Sequence, residues 1–161
     1  MISIKEISHI NKPIVWTMHD MWPFCGGEHF TNNLRNQNNY SSFNRPVNES
    51  GLDINKFVWN KKNKYLKNKD INIICPSEWM LKKVKKSSLF KNHKSQILPY
   101  IIDTNKWNYN SRLHSKIITP NGKSVILFNA TSSVNFRKGF NFLAEAINNH
   151  LNHKEYFLLV V

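Results

Sequence analysis

Short apolar runs alternate along this chain with stretches where apolar residues recur every three or four positions. The first pattern predicts buried strands and the second amphipathic helices. Strands are expected over 13–17, 71–75, 95–98, 124–130 and 156–161. Helices fall between them. Over 53–68, Ile54, Phe57, Val58 and Leu66 are expected on the inner face, with the lysines outside. After Pro76, Ser77 and Glu78 give a helix start, since the serine caps free N–H groups and the glutamate suits the first turn; this helix is expected to reach Lys86. From Gly139 onward, Phe140, Leu143, Ala144, Ile147 and Leu151 recur at helical spacing. Such alternation is the signature of βαβ units, so the expected fold class is α/β with parallel sheets. Residues 31–51 are polar, Asn-rich and carry Pro46, a loop of a length that is usually functional or mobile. Residues 109–122, with Pro120 and Gly122, read as an interdomain connection.

The first strand stops abruptly at Met18-His19-Asp20-Met21-Trp22-Pro23-Phe24, followed by Cys25-Gly26-Gly27. Open parallel sheets bind ligands just beyond the carboxyl ends of their strands. His19 is therefore the leading candidate, set against a histidine satisfied by a nearby backbone carbonyl. Asp20 can orient His19, cap the next turn or bind ligand hydroxyls, and these three stay open. Gly26 and Gly27 either let a ligand approach the backbone or form a plain turn. A second candidate is Arg137-Lys138-Gly139, where a strand passes into a helix. Free N–H groups and the positive helix end favour an anion there, against the reading of a solvated surface lysine.

Charge changes the picture less than its size suggests. The formal net charge is +13, the pI is near 9.9 and the mean hydropathy is -0.50. That field attracts phosphates, whether of nucleic acid, anionic lipid or nucleotide-linked substrates. The lysines are spread over 56–69, 82–94 and 116–138 rather than gathered in one block, and no usual nucleic-acid motif is present, so nucleic acid is a disfavoured partner. Hydrophobic residues make up 40% of the 161 positions, enough for a packed core and against wholesale disorder. Cys25 and Cys75 are too few for a disulfide scaffold and lack metal-ligand spacing. No signal peptide is recognisable in 1–12, and no apolar run approaches the roughly 20 residues that span a bilayer. A cytoplasmic protein is expected, with peripheral contact to an anionic membrane left open.

Four segments, in order, resemble one family. Pro13-Ile14-Val15-Trp16-Thr17-Met18-His19-Asp20-Met21-Trp22-Pro23-Phe24 with Gly26-Gly27 is similar to the acceptor-domain signature of family 4 glycosyltransferases that build bacterial surface polysaccharides, the colanic-acid type. Ile74-Cys75-Pro76-Ser77-Glu78-Trp79-Met80 resembles the family's strand-to-helix step. Ile97-Leu98-Pro99-Tyr100-Ile101-Ile102-Asp103-Thr104-Asn105-Lys106-Trp107 resembles its interdomain segment. Val125-Ile126-Leu127-Phe128-Asn129-Ala130, followed by Arg137-Lys138-Gly139-Phe140, resembles the start of its donor domain.

The resemblance implies a partial GT-B fold of Rossmann-like sheets. Residues 1–108 would form the later part of the acceptor-side domain, 109–122 the connection and 123–161 the start of the donor-binding domain. It implies retaining transfer of a sugar from a nucleotide-sugar to a saccharide or lipid-linked acceptor, with no cofactor and no metal. His19 and Asp20 would be catalytic, while Arg137, Lys138 and Gly139 would bind the donor diphosphate. Trp22, Gly26 and Gly27 would contact acceptor or sugar, with Trp16 and Phe24 either offering flat faces to sugar rings or packing in the core. Against the family pattern the chain starts after the first strands and stops before the paired-glutamate motif, so little or no transferase activity is expected of it alone. A noncatalytic remnant or accessory chain is the alternative. Ser132 stands where many members have a second arginine, the cysteines that often follow the histidine motif are absent, and Tyr100 replaces the usual residue after the interdomain proline.

Overall fold

The computed structural model describes residues 2–108, 123–130, 135–151 and 155–161. The expected connection at 109–122 lies outside them, as does Ser132. The chain divides into two compact units, Met1–Ile102 and Asp103–Val161.

The first unit opens with a short helix that the periodicity did not reveal, α1 (Ile4–Ser8). Ser3 and Glu6 close a capping box around it, each side chain accepting the other residue's backbone N–H. Strand β1 (Ile14–Thr17) follows, then a long irregular stretch, helix α2 (Ile54–Leu66), strand β2 (Ile71–Cys75), helix α3 (Glu78–Lys86) and strand β3 (Ser95–Ile97). The strands form one parallel sheet in the order β1-β2-β3, with Ile14 opposite Ile71 and Ile73 opposite Ser95. Parallel neighbours need a crossover, which α2 and α3 supply. Ile14 and Trp16 point toward the core while Val15 between them is exposed, the two-residue alternation of a half-covered strand. Around β2, whose Ile71, Ile73 and Cys75 are buried, gather Met18, Met21, Phe24, Tyr40, Trp59, Leu66, Met80, Val84 and Phe90.

Helix α3 starts as expected, with the Ser77 hydroxyl accepting the Met80 N–H at 3.2 Å. Helix α2 differs. Ile54 and Phe57 are exposed, and the buried positions are Trp59, Lys62 and Leu66. A lysine lies on the inner face because backbone carbonyls wait there for its ammonium. The long polar loop expected at 31–51 is irregular in path, and the fully buried side chains of Arg35 and Tyr40 anchor it.

In the second unit, β4 (Ser124–Phe128) pairs in parallel with β5 (Tyr156–Val160), Ser124 opposite Tyr156. The crossover carries α4 (Phe140–His150), whose Phe140 ring packs on Phe128 with centroids 5.0 Å apart. The architecture is thus mixed α/β with two short parallel sheets, compatible with part of a Rossmann-like fold. Among the described residues no helix is long and apolar enough to cross a membrane.

Candidate functional site

The last rung of the β1–β2 ladder is the Met18 N–H donating to the Ile74 carbonyl at 2.9 Å. His19 follows immediately and is exposed. Strand β3 ends similarly, with the Leu98 N–H on the Cys75 carbonyl at 2.9 Å, and leads through Pro99 to Tyr100. Because the strands are parallel, both loops leave from the same edge of the sheet. There His19 Nδ1 and the Tyr100 hydroxyl meet at 2.6 Å, and the two rings stack with centroids 5.7 Å apart and planes 5° from parallel. If the hydroxyl donates to Nδ1, Nε2 carries the ring proton and is a donor; if Nδ1–H donates, Nε2 is an acceptor. Either way Tyr100 fixes the ring and leaves Nε2 as its second hydrogen-bonding atom.

Asp20 turns away from that pair. Its Oδ1 accepts the Trp22 N–H at 2.9 Å, and its Oδ2 meets His29 Nδ1 at 2.6 Å. Of its three open roles, the structure places it as the cap of the next turn and the partner of His29 rather than of His19.

The turn that follows is held from beneath by Lys62. Its fully buried ammonium donates to the carbonyls of Trp22, Cys25 (3.1 Å) and Gly26 (2.6 Å) and lies 3.8 Å over the Trp22 ring. Burial pushes its pKa down from 10.5 to about 8, with the negative charges of Glu28 and Asp20 and the Cys25 side chain opposing the fall. Tyr40 adds a second tie: its hydroxyl accepts the Gly26 N–H at 2.8 Å and donates to Glu28 Oε1 at 2.6 Å. Arg35 in turn lies under the Tyr40 ring, 4.9 Å from its centroid, and reaches Asp53 with both terminal nitrogens and Glu49 at 3.3 Å. Asp53 also caps α2 by accepting the Lys56 N–H, and the Arg35 guanidinium holds its carboxyl below the ordinary value.

These ties decide several expected roles. Phe24 is fully buried and belongs to the core, and Trp16 packs against that core. Trp22 is half-buried, one face of its ring covered by the Lys62 ammonium. Gly26 is buried with its N–H already bonded, so its small size serves the approach of α2. Gly27 is exposed and donates its N–H to Asn55 Oδ1 at 2.9 Å. A Cβ on Gly26 would stand 2.7 and 2.8 Å from the Asn55 backbone O and Cα, whereas one on Gly27 would meet Asn55 Oδ1 at 3.3 Å. Gly26→Ala is therefore expected to cost about 2–3 kcal/mol by overpacking, and Gly27→Ala well under about 1 kcal/mol. Urea unfolding of the two variants checks this; equal midpoints would contradict it.

In the second unit, Arg137 and Lys138 lie in a 3₁₀ turn (Phe136–Lys138), and Gly139 leads into α4 with φ +77°, a conformation that favours glycine. Lys138 is exposed, and the Asn135 side chain caps the turn by accepting the Arg137 N–H at 3.2 Å. The cations thus stand ahead of a helix start, but the N–H groups expected to be free are not: the Lys138 N–H donates to the Asn135 carbonyl at 2.8 Å and the Gly139 N–H to the Phe136 carbonyl at 3.1 Å, because the tight turn satisfies them.

Sequence reasoning missed Tyr100 as a partner of His19, as well as His29, Lys62, Tyr40 and Arg35. Nothing local signals these pairings, since His19 and Tyr100 are 81 positions apart and Lys62 reaches 36 to 40 positions back. A cavity of about 490 Å³ opens elsewhere, lined by residues including Gln37, Lys67, Ser88 and Lys91, at the opposite edge of the sheet from His19. Among the described residues no cluster of three or more His, Cys, Asp or Glu is arranged to hold a metal. Comparison with family models, with curated proteins and with solved structures finds no match to this chain.

Proposed function

We propose that this chain carries the acceptor side and the beginning of the donor side of a family 4, GT-B glycosyltransferase, which transfers a sugar with retention from a nucleotide-sugar to a saccharide or lipid-linked acceptor. The observation that carries the reading is the exposed His19 imidazole at the carboxyl end of β1, fixed by Tyr100 from the loop after β3. That is where open α/β sheets bind ligands, and it coincides with the histidine of the motif that resembles the family. In this reading His19 Nε2 hydrogen-bonds a sugar hydroxyl near the reacting centre. The exposed rim around Gly27 borders the acceptor. In the second unit, the exposed Lys138 side chain, with that of Arg137, offers positive charge to a donor diphosphate, whose negative charge grows in the transition state and is stabilised by fixed positive charge.

The test is saturation-transfer NMR with uridine- and guanosine-diphosphate sugars and short oligosaccharides. Sugar-ring protons are expected to receive saturation, and His19→Ala to weaken sugar binding about tenfold, the value of one hydrogen bond to a polar ligand. Tyr100→Phe keeps the stacked ring but removes the hydroxyl, so a loss of only about threefold is expected. Absence of sugar binding, or sugar binding indifferent to His19→Ala, would overturn the assignment.

A further inference from the structure

The segment 42–57 presents apolar side chains to solvent in a way that a folded loop rarely does. Phe43 and Val47 are fully exposed, Leu52 is 89% exposed, and Ile54 and Phe57 on the first turns of α2 are exposed as well. They belong to one neighbourhood. The Lys56 ammonium donates to the Ser42 hydroxyl at 2.7 Å, which sets Phe43 beside the start of α2. The Arg45 guanidinium donates to the carbonyls of Ser50 and Gly51, both at 3.0 Å, which folds the loop back toward Leu52. The Ile54 N–H donates to the Leu52 carbonyl at 3.0 Å.

Charge identifies the partner. The two carboxylates of this segment, Glu49 and Asp53, are engaged by Arg35 and Arg45, so these four charges cancel. The cations left over are lysines of α2. Ile54, Phe57, Lys61 and Lys64 recur at spacings of three and four, one stripe along the outer side of the helix, apolar at its start and cationic further on. Lys61 lies 4.5 Å over the Phe57 ring, its ammonium beside apolar surface. An apolar patch rimmed by uncompensated lysines suits the boundary between the headgroups and acyl chains of an anionic bilayer, where apolar burial and electrostatic attraction act together.

We propose that residues 42–57, with the outer stripe of α2, form a docking surface for an anionic membrane. The inner side of the same helix bears Lys62, which holds the turn after His19. Docking through this surface therefore keeps the candidate site close to the membrane, where a lipid-linked acceptor would be presented.

The experiment is co-sedimentation of the full chain with vesicles of phosphatidylcholine alone and of phosphatidylcholine and phosphatidylglycerol in equal parts. Binding to the anionic vesicles is expected, and Phe43→Ser/Val47→Ser/Leu52→Ser, which leaves the net charge unchanged, should weaken it at least about tenfold with an unaltered melting curve. Hydrogen exchange of the parent chain adds a readout free of any variant: amides of 42–57 should slow on vesicle addition. Equal binding by the triple variant would assign the attachment to diffuse charge and overturn the proposal. So would failure to bind anionic vesicles, unchanged exchange in 42–57, or a lipid-free dimer that buries these residues. No sugar is involved, so the result stands apart from that of the transferase reading.

Discussion

Lys62→Met should lower the melting temperature of the first unit by roughly 15 °C, the equivalent of about 3 kcal/mol in a unit of this size. Methionine matches the length of the lysine stem and keeps the packing beside Trp22, so the loss falls on the ammonium. Its removal takes one hydrogen bond each from the Trp22, Cys25 and Gly26 carbonyls, and a buried acceptor without its donor costs about 1–3 kcal/mol. The turn between His19 and α2 would loosen first, since those carbonyls belong to it. The pH dependence carries a second mark. The folded value of Lys62, about 8, lies below the unfolded 10.5, so the folded chain releases this proton first. Its contribution to stability therefore rises between those two pH values, and the variant should lack that rise. Thermal melts followed by near-ultraviolet circular dichroism from pH 7 to 10 read both effects; an unchanged melting temperature at pH 7 would remove Lys62 from its structural role.

Arg35→Met is expected to have the next largest effect, about 2–4 kcal/mol, because it leaves carboxylates in a partly buried site without their cation. The guanidinium is fully buried, while the side chains of Asp53 and Glu49 are 16% and 31% exposed, so water compensates part of the loss. The Tyr40 ring also loses the cation packed on it, and with it some of the support for the Gly26 N–H. Acid sensitivity should change in a definite direction. Asp53 is held below its ordinary value of 3.8 chiefly by Arg35, so its contribution to stability is present above that value and is lost as the pH falls through the lower, folded one. Without Arg35, Asp53 should titrate nearer 3.8 and that contribution should shrink to what the Lys56 N–H and Arg45 still supply. Carboxyl ¹³C chemical shifts of Asp53 across pH 2 to 6 measure this directly; an unshifted titration would show that Arg35 does not govern it.

Much of the framework was legible. Strand β2 occupies the predicted residues 71–75, and the Ser77 cap fixes the start of α3 where a serine followed by a glutamate placed it. Those signals are local: a short apolar run, and a side chain three positions from the N–H it caps. The candidate position of His19, exposed at the end of a strand, was legible for the same reason. What could not be read was how that position is held. Hydropathy places a lysine outside, yet Lys62 is inside because the chain bends three carbonyls toward it from the turn at 22–26. By the same reasoning Ile54 and Phe57 belong inside, yet they are exposed. The stretch 31–51 reads correctly as a long polar loop, but its anchoring could not be read, because Arg35 is charged and pairs with Asp53, 18 positions away. Hydrophobic periodicity cannot report buried charges paired across the fold, and such pairs hold this site.

The most direct test of the central claim is a crystal structure of the chain grown with a nucleotide-sugar and a short oligosaccharide. A sugar ring is expected within hydrogen-bonding reach of His19 Nε2, with the imidazole still stacked on Tyr100. A saccharide seated only elsewhere on the chain, with His19 free of it, would rule out His19 as the sugar-binding residue.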